Sequence, residues 1–167
     1  MVTLASTLDL RPGRGTAVPD SVTPTLARPF ILIDDDDIFL LLHTRFLSKY
    51  LPGSQVDCYS NPSLGLDSIS RLIEYVAANG QNSEEPPTVV LLDLRMPQLS
   101  GWDVLDALLQ RFDPTLISNT VHIYLLSSSD DPRDRQKAAQ YSIVKNYFVK
   151  PLSQELLLTH FGSDARS

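Results

Sequence analysis

Val89-Val90-Leu91-Leu92-Asp93 runs through four apolar residues and turns acidic in a single step. An uninterrupted apolar run of this length, begun by β-branched residues, predicts a strand buried on both faces. A second run, Phe30-Ile31-Leu32-Ile33, also ends on an aspartate, Asp34. Between the two, residues 37–49 have helical spacing, with Phe39, Leu42 and Phe46 on one face. Gln55 to Tyr59 is a short strand. Asn61 can cap the next helix with Pro62 at its first position, and Asn79-Gly80 ends it after about Ala78. Beyond Asp93, a helix follows Gly101 and carries Val104, Leu105, Leu108 and Leu109. Val121 to Leu126 is a strand, about 132–140 a helix, and Lys145 to Val149 a strand. Ser153 caps a last helix that ends near Phe161-Gly162. Five strand–helix repeats predict an α/β fold: a doubly wound, five-stranded parallel sheet with five helices.

The chain has 167 residues, which is one domain's worth. It is 43% hydrophobic and 20% charged, as an ordinary soluble globular protein is. A net charge of −6 argues against a broad nucleic-acid or anionic-membrane surface. Cys58 is the one cysteine, which excludes an internal disulfide or a cysteine metal cage. No run approaches the roughly 20 apolar residues of a membrane span, and no signal-peptide pattern opens the chain, so a cytoplasmic location is expected. Residues 1–28, rich in Pro, Gly, Ser and Thr, are expected to form a flexible extension: an unselected tail, or one that docks on its own domain or a partner. The domain then spans 29–162, with a short tail at 163–167. Residues 81–87 form a polar loop.

Open parallel sheets bind ligands beyond the carboxyl ends of their strands. Asp34, Asp35, Asp36 and Asp37 follow the first strand, and Asp93 follows the third. Ser127, Ser128 and Ser129 follow the fourth, and Lys150-Pro151 the fifth. Converging carboxylates repel one another unless a cation joins them, and oxygen donors of this kind suit Mg²⁺. Lys150 adds a positive charge for a phosphate, Ser127 a hydroxyl, and Asp93 a carboxylate able to form an aspartyl phosphate. Each feature also has an ordinary reading. The Asp run can be a solvated helix cap, Asp93 a turn residue and the serine run a cap before Asp130. Their shared position at strand ends favours one site.

Four segments carry a family resemblance: Ile31-Leu32-Ile33-Asp34-Asp35-Asp36; Leu91-Leu92-Asp93-Leu94-Arg95-Met96-Pro97, with Gly101 four residues on; Leu125-Leu126-Ser127-Ser128; and Tyr147-Phe148-Val149-Lys150-Pro151. Together they resemble the receiver domains of bacterial two-component systems over about Pro29 to Phe161. The resemblance implies a flavodoxin-like sheet of order 2-1-3-4-5. It implies that Asp93 is the phospho-acceptor and that Asp34 and Asp35 hold Mg²⁺, with Asp93 and the backbone carbonyl of Arg95 as further ligands. Ser127 and Lys150 stand at the family's hydroxyl and phosphate-binding positions, and Tyr147 at its aromatic switch. Arg95 and Ser129 occupy positions that tune phosphoryl lifetime. A cis Lys150–Pro151 bond is implied as well.

The resemblance further implies partners: a histidine kinase or histidine phosphotransfer protein as donor, and a downstream protein on the helix 4/strand 5/helix 5 face. No output module follows the last helix, so a stand-alone phosphorelay receiver is expected, with no catalysis beyond its own phosphorylation and dephosphorylation. Asp36 and Asp37 extend the acidic pair, and the 107–120 connection is longer than usual. The first helix, with Ile38-Phe39-Leu40-Leu41-Leu42, has more apolar residues than one buried stripe needs. The excess meets either the donor protein or the core. Two other functions compete. A haloacid-dehalogenase-like phosphatase would use Asp34 and Asp36, but Ile38 replaces its usual Thr or Val. A receiver fold used only for binding would leave the intact acidic set without a role. Cys58 is expected in the core, Met96 beneath the acceptor loop, and Trp102 partly exposed beside the site. His43, His122 and His160 lack ligand spacing.

Overall fold

Every residue of β3 (Thr88–Asp93) is buried, because the strand lies mid-sheet with helices on both faces. The computed structural model describes residues 28–80 and 85–162; the N-terminal extension up to residue 27, residues 81–84 of the polar loop and the tail at 163–167 lie outside them. In chain order the elements are β1 (Phe30–Ile33), α1 (Asp37–Tyr50), β2 (Val56–Tyr59), α2 (Pro62–Asn79), β3, α3 (Gly101–Arg111), α4 (Pro114–Thr120), β4 (Val121–Ser127), α5 (Pro132–Ala138), β5 (Val144–Val149) and α6 (Gln154–Phe161). All four strand pairings are parallel, in the order β2-β1-β3-β4-β5.

Alternation along the strands divides the core in two. Ile31, Ile33, Val90 and Leu92 face α2, α3, α4 and α5 through Ile69, Ile73, Leu105, Leu108, Ile117 and Ala138. Phe30, Leu32, Val89 and Leu91 face α1 and α6 through Leu40, Leu47, Leu157 and Phe161. Leu91 and Leu92 have no exposed surface, and truncating such a residue to alanine costs about 2–5 kcal/mol. Asn61 caps α2 with Pro62 in its first turn, Gly80 ends it at φ 79°, and Ser153 caps α6, as the sequence predicts.

Three expectations need correction. The described residues hold six helices, because the long connection after α3 folds into α4. Asp113 caps that helix, Pro114 starts it, and Ile117 is driven into the core. The sequence's fourth and fifth helices are therefore α5 and α6. In α1 the buried positions are Leu40, His43 and Leu47, so Leu42 points outward and not with Phe39 and Phe46. Cys58 is exposed, since the strand order leaves β2 at a sheet edge with one face thinly covered; its thiol lies 3.2 Å from the Thr44 hydroxyl. Met96 is buried and Trp102 half-buried, stacked on Tyr141 at 5.6 Å. Among the described residues no helix is long and apolar enough to cross a membrane.

Candidate functional site

The carboxyl ends of β1, β3, β4 and β5 meet at one edge of the sheet. Asp34 follows β1 directly, and its N–H donates to the Tyr59 carbonyl of β2 at 3.1 Å. Asp93 is the last residue of β3, and Leu94 continues the ladder by donating to the Leu126 carbonyl at 3.0 Å. Ser127 closes β4 fully buried, and its carbonyl accepts from the Lys150 N–H at 2.8 Å. Backbone hydrogen bonds along the sheet thus hold these strand ends in place.

The four-aspartate run divides its work. Asp36 is the N-cap of α1: its carboxylate accepts from the N–H groups of Ile38 and Phe39 at 2.9 and 3.2 Å. Asp37 lies in the first helical turn, where negative charge opposes the helix dipole. Only Asp34 and Asp35 remain for the sheet edge. One carboxylate oxygen each from Asp34, Asp35 and Asp93 lies within 4.8 Å of the others. Asp34 and Asp93 are buried and Asp35 is exposed.

The Lys150 ammonium sits between the two buried acids. It is 2.7 Å from Asp93 Oδ1 and pairs with Asp34 Oδ2. The second oxygens are held by backbone, Asp34 Oδ1 by the Asp36 N–H and Asp93 Oδ2 by the Arg95 N–H, both at 3.0 Å. Burial pushes the Asp34 carboxyl above its ordinary range, although the Lys150 hydrogen bond pulls the other way. The Lys150–Pro151 peptide is cis. Ser127 Oγ accepts from the Ser129 N–H at 3.2 Å. Tyr147 is buried, and its hydroxyl donates to the Ser129 carbonyl at 2.8 Å. The Arg135 guanidinium lies 4.9 Å over the Tyr147 ring, and Arg95 reaches Asp134 at 3.4 Å.

Every residue the sequence points to is therefore at this edge or one shell behind it. Ser128 and Ser129 do not cap α5; Asp131 does. The sequence reading missed two neighbours. Phe39 lies under the Lys150 ammonium, and His43 stacks on Phe39 with centroids 3.5 Å apart. Their i, i+4 spacing was legible, but their reach to Lys150 depends on the fold. Burial lowers the His43 imidazole below its ordinary range, and its Nδ1–H donates to the Phe39 carbonyl at 2.9 Å.

A doubly wound sheet of this order, with buried acids and a lysine at its carboxyl edge, defines the class of signalling receivers. Residues 30–161 match the response regulator receiver domain, and the chain belongs to that family of two-component proteins. The probable methanogenesis regulatory protein FilR2 of Methanothrix harundinacea (strain 6Ac) is 28% identical over 129 residues, covering 76% of each chain. A two component response regulator from Cytophaga hutchinsonii is 30% identical with a TM-score of 0.65, over 78% of this chain and 91% of that one. A response regulator receiver protein from Dyadobacter fermentans DSM 18053 shares the fold at 23% identity and a TM-score of 0.61, over 81% of this chain and 98% of that one.

Proposed function

We propose that the chain accepts a phosphoryl group on Asp93 from a phosphohistidine donor and signals by binding other proteins in a phosphorylation-dependent way. The observation that carries this reading is the Lys150 ammonium shared between Asp34 and Asp93 at a buried sheet edge. A lysine so placed is already where the oxygens of a phosphoryl group on Asp93 would lie.

The donor set fits Mg²⁺. Three carboxylates gather against one ammonium, all are hard oxygen donors, and one, on Asp35, faces solvent. Asp34, Asp35 and Asp93 would hold the ion, with the Arg95 carbonyl as a further ligand. Bound there, it would supply positive charge to the oxygens of the transferring group. The chain's own residues do the rest. Asp93 is the nucleophile, oriented by the Arg95 N–H. Lys150 offsets charge on the phosphoryl oxygens. Ser127 offers a hydroxyl to them, and Tyr147 beside it relays the change. Arg95 and Ser129 flank the acceptor and bear on how long the phosphoryl survives.

The donor would meet the outer face of α1, where Ile38, Leu41 and Leu42 are 70%, 53% and 58% exposed next to the acidic edge. A histidine kinase or histidine phosphotransfer protein would dock there, and a cytoplasmic location would go with such a donor. The downstream partner would take the α5/β5/α6 face, behind Tyr147. On this reading the chain catalyses only its own phosphorylation and dephosphorylation. A phosphatase using Asp34 and Asp36 is disfavoured, because the Asp36 carboxylate is engaged as the α1 cap.

Intact mass after incubation with acetyl phosphate and Mg²⁺ tests the proposal. One added phosphoryl group, absent from Asp93→Asn and absent without Mg²⁺, is the expected result. A protein inert to both acetyl phosphate and a phosphohistidine donor would leave only a binding role.

A further inference from the structure

Lys150 has a flexible four-carbon stem, yet its ammonium must stay at the acceptor while its ion-pair partners change. Two carboxylates hold it in the unphosphorylated chain. When a phosphoryl group reaches Asp93, those N–H donors are needed by the new oxygens. A third contact makes no such demand. Lys150 Nζ lies 4.1 Å from the centroid of the Phe39 ring. A ring face attracts a cation through its quadrupole and uses none of its hydrogen-bond donors.

Phe39 is itself pinned. It is the third residue of α1, and its N–H donates to the cap Asp36. Its ring stacks on the buried His43 at 25° between planes, and that imidazole is tied back to the Phe39 carbonyl at 2.9 Å. The cap, the ring and the imidazole thus form one hydrogen-bonded and stacked unit at the start of α1.

We propose that Phe39 is a positioning residue, whose ring holds the Lys150 ammonium at Asp93 throughout phosphoryl transfer. The proposal rests on Asp93 being the acceptor. With acetyl phosphate, an Asp93 oxygen forms a bond to phosphorus, the bond from phosphorus to the acetate oxygen breaks, and acetate leaves with that electron pair. Asp93 gains and loses no proton. Lys150 stays cationic and offsets charge on the phosphoryl oxygens, and Phe39 touches none of the reacting atoms.

The test compares wild type, Phe39→Leu and Phe39→Tyr, with Phe39→Met as a second ringless variant should Phe39→Leu fail to fold. The first readout is the NMR shift of the Lys150 ε-methylene protons, which a ring face moves upfield. That shift is expected in wild type and Phe39→Tyr and lost in the ringless variants. The second is the phosphorylation rate at saturating Mg²⁺ and acetyl phosphate. It should fall about tenfold without the ring and stay within about twofold of wild type in Phe39→Tyr. A ringless variant that keeps the wild-type rate, or a Phe39→Tyr that falls as far, overturns the proposal. A missing upfield shift in wild type does so too. If wild type takes no phosphoryl group, the acceptor reading fails and the positioning role falls with it, while the shift still reports whether the contact exists.

Discussion

A Cβ placed on Gly101 would sit 2.5 Å from the carbonyl oxygen of Asp93. The first residue of α3 thus packs against the backbone of the acceptor itself, and only glycine leaves room. Gly101→Ala must push the acceptor loop or the helix aside, at about 1–3 kcal/mol. Gly80→Ala is the contrast. Its Cβ would meet nothing within 4 Å, so it carries only the cost of its backbone at φ 79° and ψ 158°, a region kept almost wholly to glycine, about 1–3 kcal/mol. Urea unfolding should show both variants destabilised, and only Gly101→Ala should slow phosphorylation with acetyl phosphate. A folded Gly101→Ala that keeps the wild-type phosphorylation rate would mean the close approach does not matter to the acceptor.

Asp34 is a carboxyl held above its ordinary range by burial. Its ionised form is disfavoured by folding, so the stability it contributes is present below the unfolded value of 3.8 and lost as pH rises through the folded value. At pH 7 without divalent cations, Asp34→Asn should therefore unfold at a higher temperature than wild type, while binding Mg²⁺ more weakly. A lower unfolding temperature would show that the Lys150 pair outweighs the burial.

His43 and His122 are both lowered from 6.5 mainly by burial, with nearby cations adding to it. The unfolded chain takes up their protons first as pH falls. Stability from both is full above 6.5 and is lost as pH drops through the folded values. Urea midpoints between pH 8 and 5 should decline on the acid side, and His43→Asn should flatten part of that slope. An unchanged slope in the variant would exclude His43 as a source.

The outer face of α1 can be tested without touching the acidic edge. Leu42→Asp replaces an exposed residue and should change stability by no more than about 0.5 kcal/mol. Transfer from a phosphohistidine protein should suffer far more than transfer from acetyl phosphate. Equal effects on the two donors would remove this face from the donor interface.

Cys58 is exposed on an edge strand, so a thiol reagent should modify it in the native protein without denaturant. Protection until the chain unfolds would place it back in the core.

Much of this was legible in the sequence because the local signals were strong. Short apolar runs begun by β-branched residues, such as Val89 to Leu92, bounded by prolines on one side and an aspartate on the other, read as strands, and Asn61, Gly80 and Ser153 mark helix ends by their own chemistry. What failed was decided by assembly. Cys58 looks like a core residue until the strand order puts β2 at an edge. The seven residues of α4 are too few to show a helical period, and Asp113-Pro114 also suits a loop. Leu42 was misplaced because an aliphatic-rich helix start leaves its phase ambiguous. At the site, the order of acids and hydroxyls along the chain pointed to one edge. The Phe39–Lys150 and Arg95–Asp134 contacts join elements far apart in sequence, and no spacing rule reaches that far.

Asp34 to Asp37 are chemically identical, so losing a codon for any one of them yields the same protein. What that protein loses is decided by the sheet. Ile33 is paired on both sides, to Tyr59 and Leu92, so the strand end stays put and the shortened run advances the helix by one residue. Each residue of an α-helix turns about 100°, so that single loss would rotate Leu40, His43 and Leu47 away from the core and carry Leu41 toward it. The run's length is a phase setting for the whole of α1, and evolution can change it only together with the face that the helix buries.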